Sequence, residues 1–236
     1  MRLKRWLLVL LAGFILLALC ACGEEESGRS YSSVSLEGVK VVVDPGHGDT
    51  DVGTIGVSTG RYEKEVNLEI GLKLKAALEQ EGVTVVMTRE SDDPVAAAEE
   101  TDIGKRKEAD MQKREQIIRD ADADMYIGVH QNSFENADAC GPQVFYYTDS
   151  GEGKKLAESI QTVMNEELEI EAPRKVNFGR YRLLAPGSQP SVTVECGFFT
   201  NPEEEEKLQQ EEYQDRVAAA IVDGIKYYQL ECGNVK

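Results

Sequence analysis

Histidine is the scarcest chemistry-bearing residue in this chain, with two in 236 residues. Any imidazole chemistry is therefore confined to His47 and His130. Cations are short as well: 26 Lys and Arg face 43 Asp and Glu, for a net charge of −17. That balance argues against a nucleic-acid partner, because backbone affinity comes from cations neutralising phosphates. Acidic wall polymers would be repelled in the same way. The glycines come without a Walker lysine and without the dinucleotide spacing, which sets a phosphate cradle aside. Of the five cysteines, the three beyond the leader match no zinc or redox signature in their spacing. Beyond Cys22 only Cys140, Cys196 and Cys232 remain, enough for one disulfide, and Cys196 reads as a small buried hydrophobe.

What is present begins with an export signal. Met1-Arg-Leu-Lys-Arg is a basic n-region and Trp6 to Ala21 an apolar h-region. An uncleaved transmembrane anchor needs roughly twenty apolar residues, slightly more than this run offers. Leu19-Cys-Ala-Cys22 followed by Gly23 resembles a bacterial lipobox, with Cys22 as the lipidated residue. Residues 1–22 are thus expected to be a signal peptide with a lipobox, 23–35 a polar tether, and 36–232 the folded domain. The remaining stretch of roughly 210 residues suits one α/β domain with a full core. Losing a leader with three cations and no acid leaves it more acidic still.

The chain is organised around Val41 to Gly48, VVVDPGHG. A β-branched run suits a strand covered on both faces, and Asp-Pro-Gly ends it in an abrupt turn. His47 is then expected on a loop at a strand's C-terminal end, where ligands bind in open α/β sheets. His130 ends a second apolar run, Met125-Tyr-Ile-Gly-Val, and Glu195 ends a third, Ser191 to Val194. An acid there is costly unless it is paired or has chemistry to do. Imidazole is the commonest metal ligand, and hydrolytic zinc takes three protein ligands, so two histidines and a carboxylate propose a zinc hydrolase. A second acid would move protons. Which of the 43 acids plays which part stays open at this level; Glu63 reads as a helix-start carboxylate favoured by the macrodipole.

The other elements follow from periodicity. Gly48, Gly53, Gly56 and Gly60 form a loop able to approach a ligand closely. Glu63 to Glu81 is a helix, with Val66, Ile70, Leu74 and Leu78 on one face, and Val83 to Thr88 a second buried strand. Ser91 to Asp110 is polar and long for a connection, a surface excursion or a lid. A helix over Met111 to Asp120 leads to the His130 strand. Then come a strand at Gln143 to Thr148, a helix at Glu152 to Leu168, and a short strand at Arg180 to Ala185. Thr200 or Asn201 caps the closing helices, and Glu203 to Glu206 reads as a solvated face.

Taken together, DPGHG (Asp44 to Gly48), Glu63-Lys64 with Val-Asn-Leu at 66 to 68, Thr88-Arg89, Arg114, VHQN (Val129 to Asn132) and VECGFFTN (Val194 to Asn201) resemble the zinc-dependent N-acetylmuramoyl-L-alanine amidases of bacteria and phages. The likeness runs from about Val39 to the C-terminal helix. It implies a single α/β domain with a mostly parallel twisted sheet flanked by helices and a zinc site at the C-terminal strand ends. It also implies one zinc held by His47, Glu63 and His130, with Glu195 as catalytic acid/base and Glu65 as the fallback ligand. Arg89, Arg114 and Asn132 are candidates for orienting substrate or bracing loops, an ion pair with the acid-rich surroundings being an equally plain role for either arginine. Gly128 and Gln131 depart from the serine and alanine more usual in the family, which bears on the pocket wall.

The implied reaction is hydrolysis of the amide between N-acetylmuramic acid and L-alanine in peptidoglycan. No separate wall-binding module is read after the catalytic segment. A lipid anchor on the outer face of the cytoplasmic membrane is therefore expected to hold the enzyme against the wall; whether a protein activator is needed is not legible. Two rival readings remain, a zinc exopeptidase of related fold and a metal-free lipoprotein that only binds wall fragments.

Overall fold

The structure, a computed structural model, describes residues 31–96, 101–185 and 187–233. The signal peptide, the lipobox and Cys22 lie outside the described residues. Six strands form one sheet: β1 (Lys40–Pro45), β2 (Thr84–Met87), β3 (Met125–Asn132), β4 (Gln143–Tyr147), β5 (Asn177–Gly179) and β6 (Ser191–Phe198), in the order β2-β1-β3-β6-β4-β5. All neighbouring pairs are parallel except β4 with β6. Among the described residues five α-helices accompany them: α1 (Glu63–Gln80), α2 (Ile103–Asp120), α3 (Gly151–Glu167), α4 (Pro202–Leu208) and α5 (Glu211–Cys232). The described chain is a single α/β domain with a mostly parallel sheet flanked by helices.

The two faces of the sheet differ. Val41, Val43, Ile127, Val129, Val192 and Val194 are sealed against Ile70 and Leu74 of α1, Leu156 and Ile160 of α3, and Ile221 and Ile225 of α5. On the opposite face a smaller cluster, Val42, Tyr126, Ile118 of α2 and Leu184, covers only part of the surface. Along β6 the side chains alternate, with Val192, Val194 and Cys196 buried and Thr193 and Glu195 half-exposed. This period-2 pattern is what sets Glu195 on the open side. The core also reaches into the segment expected to be tether, since Tyr31 and Val34 are buried.

Several expectations are corrected. Ser91 to Asp110 is not all loop, because α2 starts at Ile103 with the Asp102 carboxylate accepting from Lys105 N. The cap extends the helix through a segment without an apolar stripe. Arg180 to Ala185 is not a strand: Arg182–Leu184 is a 3-10 helix and the edge strand is Asn177–Gly179. β2 is an edge strand and only partly covered. Asn201 caps α4, its side chain accepting from Glu203 N and Glu204 N. The run Glu203 to Glu206 is not a uniform solvated face. Glu205 is fully buried and accepts from Ser58 N, Thr59 N and Thr59 Oγ1, while Glu204 accepts from Gly141 N and Phe198 N. Cys196 is buried, and Cys140, Cys196 and Cys232 are free thiols.

Candidate metal centre and active site

The site is assembled from one loop, one helix start and two strands. The turn after β1 throws His47 into the left-handed region at φ 60°, a conformation that costs a residue with a Cβ about 1–2 kcal/mol. Two arginines hold it there. Arg89 donates to the carbonyls of Pro45 (2.8 Å), Gly46 (3.0 Å) and Lys64 (2.7 Å), and Arg114 to those of Pro45 (3.0 Å) and His47 (2.5 Å). Arg114 also pairs with Asp44 at the end of β1 and with Asp110. Asp44 is buried, yet Arg114, Thr88 and Tyr126 hold its carboxyl below the usual range despite the burial that opposes it. Burial and the nearby Arg114 charge bring the Arg89 guanidinium down to about 10, still charged at neutral pH. Both arginines are buried and spend their donors beneath the loop. The geometry is that of braces, not of groups facing a substrate.

Glu63, the first residue of α1, is the hub. Its Oε1 lies 3.1 Å from His47 Nε2 and 3.2 Å from His130 Nδ1. It also accepts from Asn67 Nδ2 (3.1 Å) and Gln131 N (3.1 Å), and its Oε2 from Thr54 N (2.8 Å). Burial alone would raise the pKa of this carboxyl, but the two histidines hold it well below the ordinary range. One ligand atom each from His47, Glu63 and His130 falls within 4.8 Å of the others. His47 Nδ1 stands 3.0 Å from Asp51 Oδ2. Burial would lower the His47 pKa, yet Asp51 and Glu63 lift it to about 9. Glu65, by contrast, turns to Arg61 and Tyr62 N.

Glu195 sits beside His130 in the β3–β6 register, and both strands run past these residues. The site side chains are therefore carried within the strands, with a register shift between His130 and Asn132 that opens the ladder at this point. Glu195 Oε2 is buried without a hydrogen-bond partner. Burial raises its pKa to about 7, with His130 and His47 lowering it and Glu63 adding to the rise. His47, Gly53, Thr54, Glu63, His130 and Asn132 line the same 280 Å³ cleft as Glu195. Asn132 keeps its side-chain oxygen on Ser133 N. Gly53, at φ 68°, has no room for a side chain, since a Cβ would stand 2.5 Å from Glu63 Oε2 and 2.8 Å from His47 Cδ2.

Similarity to known proteins decides the family. The N-acetylmuramoyl-L-alanine amidase family matches residues 41–227. This chain belongs to that family. It is similar to the germination-specific N-acetylmuramoyl-L-alanine amidase of Bacillus subtilis, 34% identical over 232 residues that cover 98% of this chain and 97% of that protein. Among solved structures, the CwlD amidase of Clostridioides difficile, in complex with the GerS lipoprotein, superposes with a TM-score of 0.79 at 32% identity, covering 82% of this chain and 99% of that one. AmiC2 of Nostoc punctiforme gives 0.66 at 32% identity, with 86% and 99% covered. The chain is thus a hydrolase of the cell-wall amidase kind.

Two supports of this amidase site, Asp51 and Asn67, have no role assigned from sequence; the ion pair expected of Arg114 is present, with Asp44 as its buried partner. Asn67 had a signal, because a polar residue four after Glu63 on the Val66–Ile70 face has to be bonded if buried. Asp51, inside a polar loop, had none.

Proposed function

We propose that the chain cleaves the amide between N-acetylmuramic acid and the L-alanine of the stem peptide, with zinc held by His47, Glu63 and His130 and with Glu195 moving the protons. The observation that carries the reading is the convergence of three ligand atoms within 4.8 Å in the cleft that also holds the Glu195 carboxylate, whose Oε2 is buried and unpartnered. Two imidazoles and one carboxylate are a donor set that suits zinc in hydrolytic sites, and Gly53 keeps the space before them free of a side chain. When bound, zinc polarises a carbonyl and lowers the pKa of water.

The protein's own part is positioning and proton transfer. Asn67 and Gln131 N fix Glu63 from behind, so the carboxylate and both imidazoles keep one arrangement. Glu195, with a pKa near neutrality, is poised to take a proton from the attacking water and return it to the departing alanine nitrogen. Its neighbours withhold hydrogen bonds from Oε2, which leaves that oxygen for the reacting groups.

The enzyme is proposed to work outside the cytoplasm, held by a lipid at Cys22 and facing peptidoglycan. No helix among the described residues is long and apolar enough to cross a membrane. The complex of the similar C. difficile amidase with a lipoprotein supports a protein partner of that kind here.

The test is metal content of the purified full chain together with N-terminal alanine release from peptidoglycan, before and after chelation. One zinc per chain and chelator-sensitive release are expected. Chelator-sensitive cleavage of free peptides alone would favour an exopeptidase. A folded, metal-free, inactive protein that binds wall fragments would overturn the enzymatic reading.

A further inference from the structure

The strand register carries a row of side chains past Glu195. In the antiparallel β4–β6 pair, Gln143 stands opposite Glu195 and Phe145 opposite Thr193. Alternate residues share a face, so Thr193, Glu195, Gln143 and Phe145 project on the side of the sheet that carries His130. All are half-exposed, whereas Val144, Val192 and Val194 between them are buried. Tyr181, just before the 3-10 helix, ends the row. Its ring meets that of Phe145 edge to face, centroids 5.5 Å apart at 80°, and remains 46% exposed. Gly179 makes space for it, since a Cβ there would come within 2.6 Å of the Tyr181 ring. Burial raises the Tyr181 pKa and the Glu195 charge raises it further, which puts the phenol within electrostatic reach of that carboxylate.

The proton chemistry has no use for this pair, and the core does not need Tyr181 so exposed. The π face of an aromatic ring carries partial negative charge and attracts polarised C–H groups, which a pyranose ring presents on one side. Phe145 lies one strand over and two residues along from Glu195, about 8 Å by strand spacing and rise. The lactyl ether that joins the muramic acid ring to its amide spans about 5 Å over four bonds. A sugar lying on the aromatic pair therefore brings its amide to Glu195.

We propose that Phe145 and Tyr181 form the subsite for the N-acetylmuramoyl ring, on the acyl side of the scissile amide. The proposal rests on the amidase reading above and adds the direction in which the glycan lies: over β4, away from the His47 loop. A neutral aromatic platform also gives a strongly acidic protein a means of gripping a sugar that does not depend on positive charge.

Fluorescence of the full-length Tyr181→Trp chain tests the subsite without any need for turnover, because the parent's single tryptophan is Trp6. Free N-acetylmuramic acid should change its emission saturably and leave the parent's unchanged, while L-alanyl-D-isoglutamine should change the emission of neither chain. Emission unmoved by the sugar, or moved equally by the peptide, would overturn the proposal. With N-acetylmuramoyl-L-alanyl-D-isoglutamine as substrate, Tyr181→Ala should raise KM about tenfold with little change in kcat, the pattern of lost uniform binding. Tyr181→Phe should restore KM. A parent-like KM for Tyr181→Ala would sink the subsite and leave the amidase standing. A parent that hydrolyses no muramoyl amide would sink the amidase reading, and the titration would still decide whether the pair holds the sugar.

Discussion

Arg114→Lys tests whether the buried arginine below the site holds His47 in place. The guanidinium reaches four groups at once: Asp44, Asp110 and the carbonyls of Pro45 and His47. An ammonium keeps the charge, and with it most of the Asp44 pairing, but it is a point donor and cannot span the fork. The His47 and Pro45 carbonyls would then lose a charged donor in a buried place, at about 1.5–3 kcal/mol for a hydrogen bond of this kind. Losing Arg114 outright would be worse, about 3–5 kcal/mol, because Asp44 would be left as a buried carboxylate without its cation. The His47 backbone sits at φ 60°, so the loop relaxes toward negative φ once the carbonyl is released and the imidazole leaves Glu63. Zinc affinity should weaken by about 10–100-fold, the usual cost of removing an outer support of a metal ligand. Urea titration of the chelated chain reads the first effect, and competition with a zinc-binding dye reads the second. A lysine variant that loses stability but binds zinc like the parent would refute the claim that Arg114 acts through His47. One that loses neither would refute the brace altogether.

Glu195→Gln should keep zinc and lower kcat by about 10²–10⁴, the range of a lost general base; ordinary turnover would remove Glu195 from its role. The same variant has a pH signature in chelator. A carboxyl raised from 4.5 to about 7 in the folded state costs nothing below pH 4.5 and progressively destabilises the fold up to about pH 7, reaching about 3 kcal/mol above it. Between pH 4.5 and 8 the parent should therefore lose about that much more stability than Glu195→Gln, the His47 contribution cancelling in the difference; parallel urea midpoints would contradict the burial argument. Gly53→Ala places a methyl against Glu63 and His47 at a left-handed position, so metal content should fall well below one per chain while circular dichroism stays native. Full zinc occupancy would show that the loop can yield.

Much of the site could be read before any fold was known, because the scarcity of histidine removed the choice. His47 and His130 had no rivals, and each followed a run that only a buried strand explains. Glu195 came the same way, as an acid at the end of Ser191 to Val194. For the strands and long helices, hydrophobic spacing sufficed, since Val66, Ile70, Leu74 and Leu78 leave little alternative to a helix. The pattern failed where stability is not carried by an apolar stripe: the first two turns of α2 rest on the Asp102 cap, and the 3-10 helix at Arg182–Leu184 has only Leu184 buried.

Composition, period and the order of a few motifs thus determined the family, the sheet and three of the four key side chains, because these depend on local backbone preference and on which faces must leave water. The resemblance named Glu63 beside the histidines and kept Glu65 as a fallback, and the tertiary structure decided between the two. Glu63 lies 16 residues from His47 and 67 from His130, and nothing local distinguishes it from Glu65; the α1–β1 packing puts one between the imidazoles and sends the other to Arg61. It was likewise long-range contact that turned Arg89 and Arg114 inward and buried Glu205 under the glycine loop. A charged side chain takes its role from the partner that desolvation leaves it, and that partner is chosen by the fold.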